Sequence, residues 1–225
     1  MLGDNWIVFK DANELSQKLA NDILSAAEFS IKSKNSFKIV LAGGSSVLQT
    51  YEILSDSESD WGRWHVYFGD ERCLPVKNKD RNDSIINTIW LNDCAIPKQN
   101  INYIPVELGV NVAATSYGQI VDTVGEFDLV ILGVGEDGHT ASLFPGHIYD
   151  DTKSVIIEEN SPKYPKNRVS ISYSKLNRSK KVFKVVSGSS KKPIVQQWLR
   201  GVDLPINKVC GYSERVYICR ELLAI

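Results

Sequence analysis

A chain of 225 residues, 43% hydrophobic and 24% charged, is long enough to bury a large core, and its net charge of −1 gives no general attraction to nucleic acid or anionic membrane. No run approaches eighteen apolar residues, and Met1-Leu-Gly-Asp-Asn-Trp6 lacks a basic region followed by an apolar one, so neither a membrane span nor export is expected. Cys73, Cys94, Cys210 and Cys219 form no C-x-x-C pair and have no histidine at zinc-finger spacing, which predicts reduced thiols in a cytoplasmic protein. Nothing resembling a Pro/Ser/Gly-rich linker or an internal repeat divides residues 1–225, which read as one domain.

Asp11 and Glu14 have the spacing of a capping box, and Leu15, Leu19, Ile23 and Ala27 behind them predict an amphipathic helix. A strand over Phe37–Ala42 runs into Gly43-Gly-Ser-Ser46 and a helix carrying Val47, Leu48, Tyr51 and Leu54. Unpaired backbone N–H groups at such a helix start can hold a phosphate, although many α/β turns with a serine cap hold nothing. Trp64–Phe68 is the next strand, and its end carries Gly69-Asp-Glu-Arg72. Such a charged run is commonly a solvated loop. If the two strands are parallel, however, Arg72 points where the glycine turn points, and its guanidinium suits a phosphate or carboxylate. Lys77, Lys79 and Arg81 read as a basic loop, followed by a helix with Ile85, Ile86, Ile89 and Trp90. A short strand at Ile101–Ile104 and a helix burying Val112, Ala113, Tyr117, Ile120 and Val124 come next.

Phe127–Leu132 is an uninterrupted apolar run, the pattern of a strand buried on both faces. Gly133, Gly135 and Gly138 follow within six positions, with Asp137 between them and His139 just after, so that a carboxylate and an imidazole arrive at a strand end in a glycine-lined turn. The glycines spell G-x-G-x-x-G, and Glu158 and Glu159 lie about twenty residues on. A dinucleotide site also needs a helix running on from the third glycine, and Pro145-Gly146 arrives too soon for one. No second histidine at i+4 accompanies His139, so neither metal nor cofactor is expected. Pro162 and Pro165 bracket a loop, Arg168–Tyr173 alternates like a half-exposed strand, and Val182–Val186 is a further strand. Ser187-Gly-Ser-Ser-Lys191 then leads into a helix with Ile194, Val195, Trp198 and Leu199, placing Lys191 in its first turn, where an anionic ligand would favour it.

Taken together, Leu41-Ala-Gly-Gly-Ser-Ser46, Phe68-Gly-Asp-Glu-Arg-Cys-Leu-Pro75 and Gly133 to Pro145, with Asp137-Gly-His-Thr-Ala-Ser-Leu-Phe-Pro145 at its centre, resemble the 6-phosphogluconolactonase family. Arg168, the Ser187–Lys191 turn and Leu204-Pro205 with Val209 extend the resemblance over nearly the whole chain. Two positions depart from it: Ser46-Val47 stands where threonine-proline is usual, and Asn82-Asp83 replaces asparagine-tyrosine on one wall of the pocket. The resemblance implies a Rossmann-like α/β fold, an open, mostly parallel sheet with helices on both faces, as in the sugar-phosphate isomerases. It also implies hydrolysis of 6-phospho-D-glucono-1,5-lactone in the oxidative pentose phosphate pathway. The related amino-sugar-phosphate deaminases carry a carboxylate just after their histidine, and Thr140-Ala-Ser-Leu-Phe-Pro145 supplies none.

On that chemistry His139 takes a proton from water and returns it to the ring oxygen, with Asp137 or Asp70 fixing its tautomer. Gly43, Gly44, Ser45, Ser46, Arg72, Arg168 and Lys191 are the residues for the phosphate, and one or more of the cations, Arg72 among them, is available to the carbonyl oxygen. The partner expected is the small sugar-phosphate lactone, for a monomer or small homo-oligomer. A module that senses a sugar phosphate without turning it over would show the same glycine turns and cations, and only His139 beside Asp137 argues against it.

Overall fold

The computed structural model describes residues 2–223. Its strands are β1 (Trp6–Phe9), β2 (Phe37–Leu41), β3 (Trp64–Phe68), β4 (Asp70–Arg72), β5 (Ile101–Asn102), β6 (Phe127–Gly133), β7 (Val155–Glu158), β8 (Arg168–Ile171), β9 (Ser179–Val186) and β10 (Glu214–Cys219). Its α-helices are α1 (Ala12–Lys34), α2 (Ser45–Ser55), α3 (Asn82–Ile86), α4 (Val110–Asp122), α5 (Tyr173–Asn177) and α6 (Lys192–Leu199).

Seven strands form one sheet in the order β1-β10-β9-β6-β2-β3-β5, paired in parallel throughout. The chain steps outward from β2 to β3 and β5, then returns to the other side of β2 as β6 and steps outward again to β9 and β10. The strand order therefore reverses between β2 and β6, and the crevice beyond their carboxyl ends is where an open sheet of this kind receives a ligand. Phe127 to Leu132 of β6 are all buried, as a central parallel strand covered on both faces requires.

Local chemistry explains the helices that frame this sheet. Asp11 Oδ1 accepts from Glu14 N at 3.0 Å, and Glu14 Oε2 accepts from Lys10 N at 2.7 Å, so the box closes one residue before the cap. Leu15, Leu19, Ile23 and Ala27 are buried, and α1 packs on α2 and on β1, β2, β6 and β10. In α4 the stripe is rotated from expectation: Ala113, Tyr117 and Val121 are buried at intervals of four, while Val112 and Ile120 are exposed. Tyr117 fixes that rotation, because its hydroxyl donates to Phe68 O at 2.8 Å and accepts from Phe68 N at 2.9 Å. The helix expected near Ile85 is α3, which runs on into a π-helical turn at Asn87–Leu91.

A second sheet corrects two expectations. β4, β8 and β7 pair antiparallel in the order β4-β8-β7. The charged run Asp70–Arg72 is thus a strand, and Asp70 and Glu71 are buried. Glu71 survives burial because its carboxylate accepts from the backbone N–H of Arg72, Asn82 and Asp83 at 2.7, 2.8 and 2.8 Å. Arg168–Ile171 is buried at every position, since it is the middle strand of this sheet and α4 packs over it. The expected basic loop is also reduced, because Arg81 is buried and paired with Asp83 and, at 3.1 Å, with Glu107.

Candidate active site

The crevice beyond β2 and β6 is a cleft of about 330 Å³. Gly43, Gly44, Ser45 and Ser46 form one wall. Gly44 has φ +94, a left-handed value that glycine adopts without cost, and α2 starts immediately after it with no side-chain cap. Gly43 is needed for a different reason: a Cβ there would collide with the Asn82 side chain. The opposite turn, Ser187–Lys191, ends with Lys191 as the uncapped residue before α6. Ser46 joins the two turns, its hydroxyl accepting from Ser187 N at 3.2 Å and donating to Ser187 O at 3.3 Å. Two helix starts therefore face one crevice, tied together by one serine.

His139 comes from the turn after β6. Gly135 N donates to His139 O at 2.7 Å and Gly138 N to Gly135 O at 2.9 Å, folding the turn back on itself. The imidazole lines the cleft, while Asp137 sits behind it with Oδ1 on Nδ1. Burial works against the Asp137 carboxylate, but the hydrogen bond and charge of His139 outweigh it and hold Asp137 well below the usual carboxylate range. Gly135 makes room for this pair, since a Cβ there would overlap the ring and lie 2.5 Å from Asp137 Oδ1. Beyond His139, Thr140 and Leu143 exchange backbone bonds at 3.1 and 2.9 Å, forcing Ala141 to φ 48. That left-handed alanine costs roughly 1–2 kcal/mol and lines the cleft.

Arg72, Arg168 and Lys191 complete the lining as cations. Arg72 and Arg168 are cross-strand neighbours on β4 and β8. Arg72 Nη1 donates to Asp80 O at 2.6 Å; Arg168 donates from Nε to Pro165 O at 3.3 Å and from Nη2 to Lys163 O at 3.4 Å. Among the described residues none of the three has a carboxylate within 4.0 Å. Burial pushes the Arg168 and Lys191 pKa values down, with Asp70 and Glu136 respectively pulling the other way. Half-buried and buried cations with no carboxylate in direct contact are poised for an anion.

The expected residues Gly43, Gly44, Ser45, Ser46, Asp70, Arg72, His139, Arg168 and Lys191 are brought together here. Of the two candidate carboxylates, Asp70 accepts from Asn82 Nδ2 at 3.1 Å and from the Ser142 hydroxyl, and Asp137 is the one hydrogen-bonded to the imidazole among the described residues. Asn82 itself lines the cleft, whereas Asp83 turns to Arg81 and Val47 is buried. Lys163 and Tyr164 on the lip went unanticipated, and the only sequence sign was the prolines bracketing their loop. Glu158 is committed elsewhere, accepting from Tyr149 Oη and bonding His147 Nδ1, both at 2.7 Å. Burial pushes the Cys73 thiol up to about 11, so it is not activated by Arg72. Among the described residues no cluster of three or more His, Cys, Asp or Glu side chains could hold a metal ion.

Residues 10–218 match the family model described as glucosamine-6-phosphate isomerases/6-phosphogluconolactonase. The chain is 32% identical over 203 residues to a 6-phosphogluconolactonase of Nostoc sp., covering 84% of this chain and 82% of that protein. It is 34% identical over 195 residues to the GDH/6PGL endoplasmic bifunctional protein of Oryctolagus cuniculus, covering 81% of this chain but spanning only 24% of that longer protein. The crystal structure of 6-phosphogluconolactonase from Thermotoga maritima superposes with a TM-score of 0.84 at 28% identity, over 95% of this chain and 98% of that one.

Proposed function

The chain belongs to the family of glucosamine-6-phosphate isomerases and 6-phosphogluconolactonases, and from that premise we infer that it hydrolyses 6-phospho-D-glucono-1,5-lactone to 6-phospho-D-gluconate in the oxidative pentose phosphate pathway. The observation that carries this reading is the His139–Asp137 pair set in a cleft where, among the described residues, Arg72, Arg168 and Lys191 make no salt bridge. Among the described residues Asp70 and Asp80 are the carboxylate residues of the cleft lining; Asp70 is held by Asn82 and Ser142, neither bonds the imidazole, and the segment after the histidine, Thr140 to Pro145, supplies no carboxylate for opening an amino-sugar ring.

Asp137 fixes the proton on Nδ1 of His139 and leaves Nε2 free as the base. Nε2 takes a proton from water as the oxygen attacks the lactone carbonyl, and returns it to the ring oxygen as the carbon–oxygen bond breaks. The phosphate is held by Lys191, Arg72 and the backbone N–H groups of Gly44, Ser45 and Ser46, with Arg168 adding to the same positive field. That field also opposes the charge that builds on the carbonyl oxygen. The work is assigned to the cytoplasm, to a monomer or small homo-oligomer; among the described residues no helix is long and apolar enough to cross a membrane.

The test generates the lactone in situ and follows its loss against the spontaneous rate. Wild type should accelerate it, and His139→Ala should lose a factor of roughly 100 or more in kcat with the fold intact. Near-normal turnover by His139→Ala would remove the base.

A further inference from the structure

His139 does not stand against solvent on its far side. Its ring meets Phe144 at 4.7 Å between centroids, and Phe144 is 1% exposed. The same phenyl ring lies 5.6 Å from Arg168 Cζ. One aromatic side chain is thus shared by the imidazole assigned as base and by a cation of the cleft, and whatever fixes Phe144 fixes the spacing of both.

Phe144 is fixed from behind the cleft. Tyr149 Oη accepts from Phe144 N at 2.9 Å and donates to Glu158 Oε2 at 2.7 Å. Glu158 is 3% exposed, and its carboxylate also receives Asn160 N at 2.6 Å on Oε1 and faces His147 Nδ1 on Oε2. It sits on β7 opposite Arg168 of β8. Burying a carboxylate so completely is expensive unless its oxygens are satisfied, and every donor it collects except Asn160 belongs to the 144–149 loop. The loop's nearer end is tied to the same small sheet, by Ser142 Oγ to Asp70 of β4 and Ser142 N to Ser170 Oγ of β8 at 3.2 Å. Glu158, Tyr149 and His147 lie outside the cleft lining, and the lactonase chemistry leaves them without a part.

We propose that Tyr149 and Glu158 are positioning residues: their hydroxyl–carboxylate bridge holds Phe144 as the seat against which the His139 imidazole is set. This rests on the reading of His139 as the base. It also goes beyond it, because it assigns the ring's placement to a buried clamp on a strand of the second sheet as well as to Asp137. Removing the bridge leaves Asp137 in place but lets the phenyl wall shift, and a displacement of about 1 Å at a reacting group is enough to cost up to ~100-fold in rate.

Tyr149→Phe deletes only the bridging oxygen. Expected are a kcat about 10-fold lower, a KM within about threefold of wild type, and a displacement of the His139 ring 1H–15N signals while those of His65 stay in place. Those signals are assigned by their disappearance in His139→Gln. An unchanged kcat overturns the proposal, and so does a lowered kcat with unmoved His139 signals. If wild type fails to accelerate lactone loss, the assigned reaction is wrong, and the ring signals alone then decide the clamp: displaced signals support it and unmoved signals overturn it. Should Tyr149→Phe not fold, Glu158→Gln is read by the same two measurements.

Discussion

Gly135→Ala puts a single methyl group where the turn after β6 has no space for one. The Cβ would overlap the His139 ring and lie 2.5 Å from Asp137 Oδ1, against ~3.5 Å for an ordinary contact, so the pair must retreat by about 1 Å. Gly135 does not occupy the left-handed region, so the backbone itself accepts alanine and the strain falls on the imidazole and its carboxylate. Overpacking of this kind costs ~1–3 kcal/mol of stability, a fall of only a few degrees in Tm per kcal/mol for a chain of this size. The rate is the sensitive quantity: a misplacement of ~1 Å predicts a loss of about 100-fold in kcat, or ~2.7 kcal/mol of barrier. Lactone loss against the spontaneous rate measures it, with calorimetric titration of 6-phosphogluconate as the control for an intact phosphate site. Gly125→Ala, where a Cβ meets nothing within 4 Å, should behave as wild type. A Gly135→Ala enzyme that folds and keeps kcat within about threefold of wild type would refute the placement of the base.

Arg72→Ala and Lys191→Ala should act mainly on KM, and KM of the wild type should rise with ionic strength as the field of the cleft is screened; an unchanged KM in both variants moves the phosphate elsewhere. Asp137 has a depressed pKa in the folded protein, so its contribution to stability is present above its unfolded value near ~3.9 and is lost as pH falls from there toward the folded value. Urea unfolding should therefore find Asp137→Asn weaker than wild type at pH 7, with the gap closing below pH ~4; a gap independent of pH contradicts the pairing. Gly43→Ala should be destabilising because it drives Asn82 off Asp70, and adding Asn82→Ala should cost less than the two single losses together, by ~1 kcal/mol or more; additive losses would mean that the two side chains do not compete for the same space.

Where a residue's fate depends on its own neighbours in sequence, the structure agrees with what the sequence announces. Asp11 caps α1 through Glu14, β6 is apolar because it is covered twice, and Gly44 is glycine because its φ is +94. The cleft was legible for the same reason, since its residues lie at strand ends next to glycine turns. What stayed hidden depends on partners far along the chain. Asp70–Arg72 looked like a solvated run because nothing local shows that Arg168–Ile171 will pair with it or that Glu71 will collect three backbone N–H groups. Arg81 looked basic and free until Glu107 arrived from 26 residues on. β7 and the edge strand β1, four residues each, carry too short a pattern to stand out without their neighbours. That Asp70 is engaged by Ser142 and Asn82 was hidden for the same reason, since they meet it in space rather than in sequence.

The position of β1 has a consequence for how the chain is made. Trp6 to Phe9 leave the ribosome roughly 200 residues ahead of β10, Val216 to Cys219, which is their strand partner among the described residues. At ~5–20 residues per second that strand waits on the order of ten seconds or more, its backbone donors and acceptors unmatched, while β2 through β9 are already available to one another. Every residue lining the cleft lies between Ala42 and Lys191, so the crevice can assemble on the nascent chain first, and the sheet is completed afterwards by joining β1 to β10.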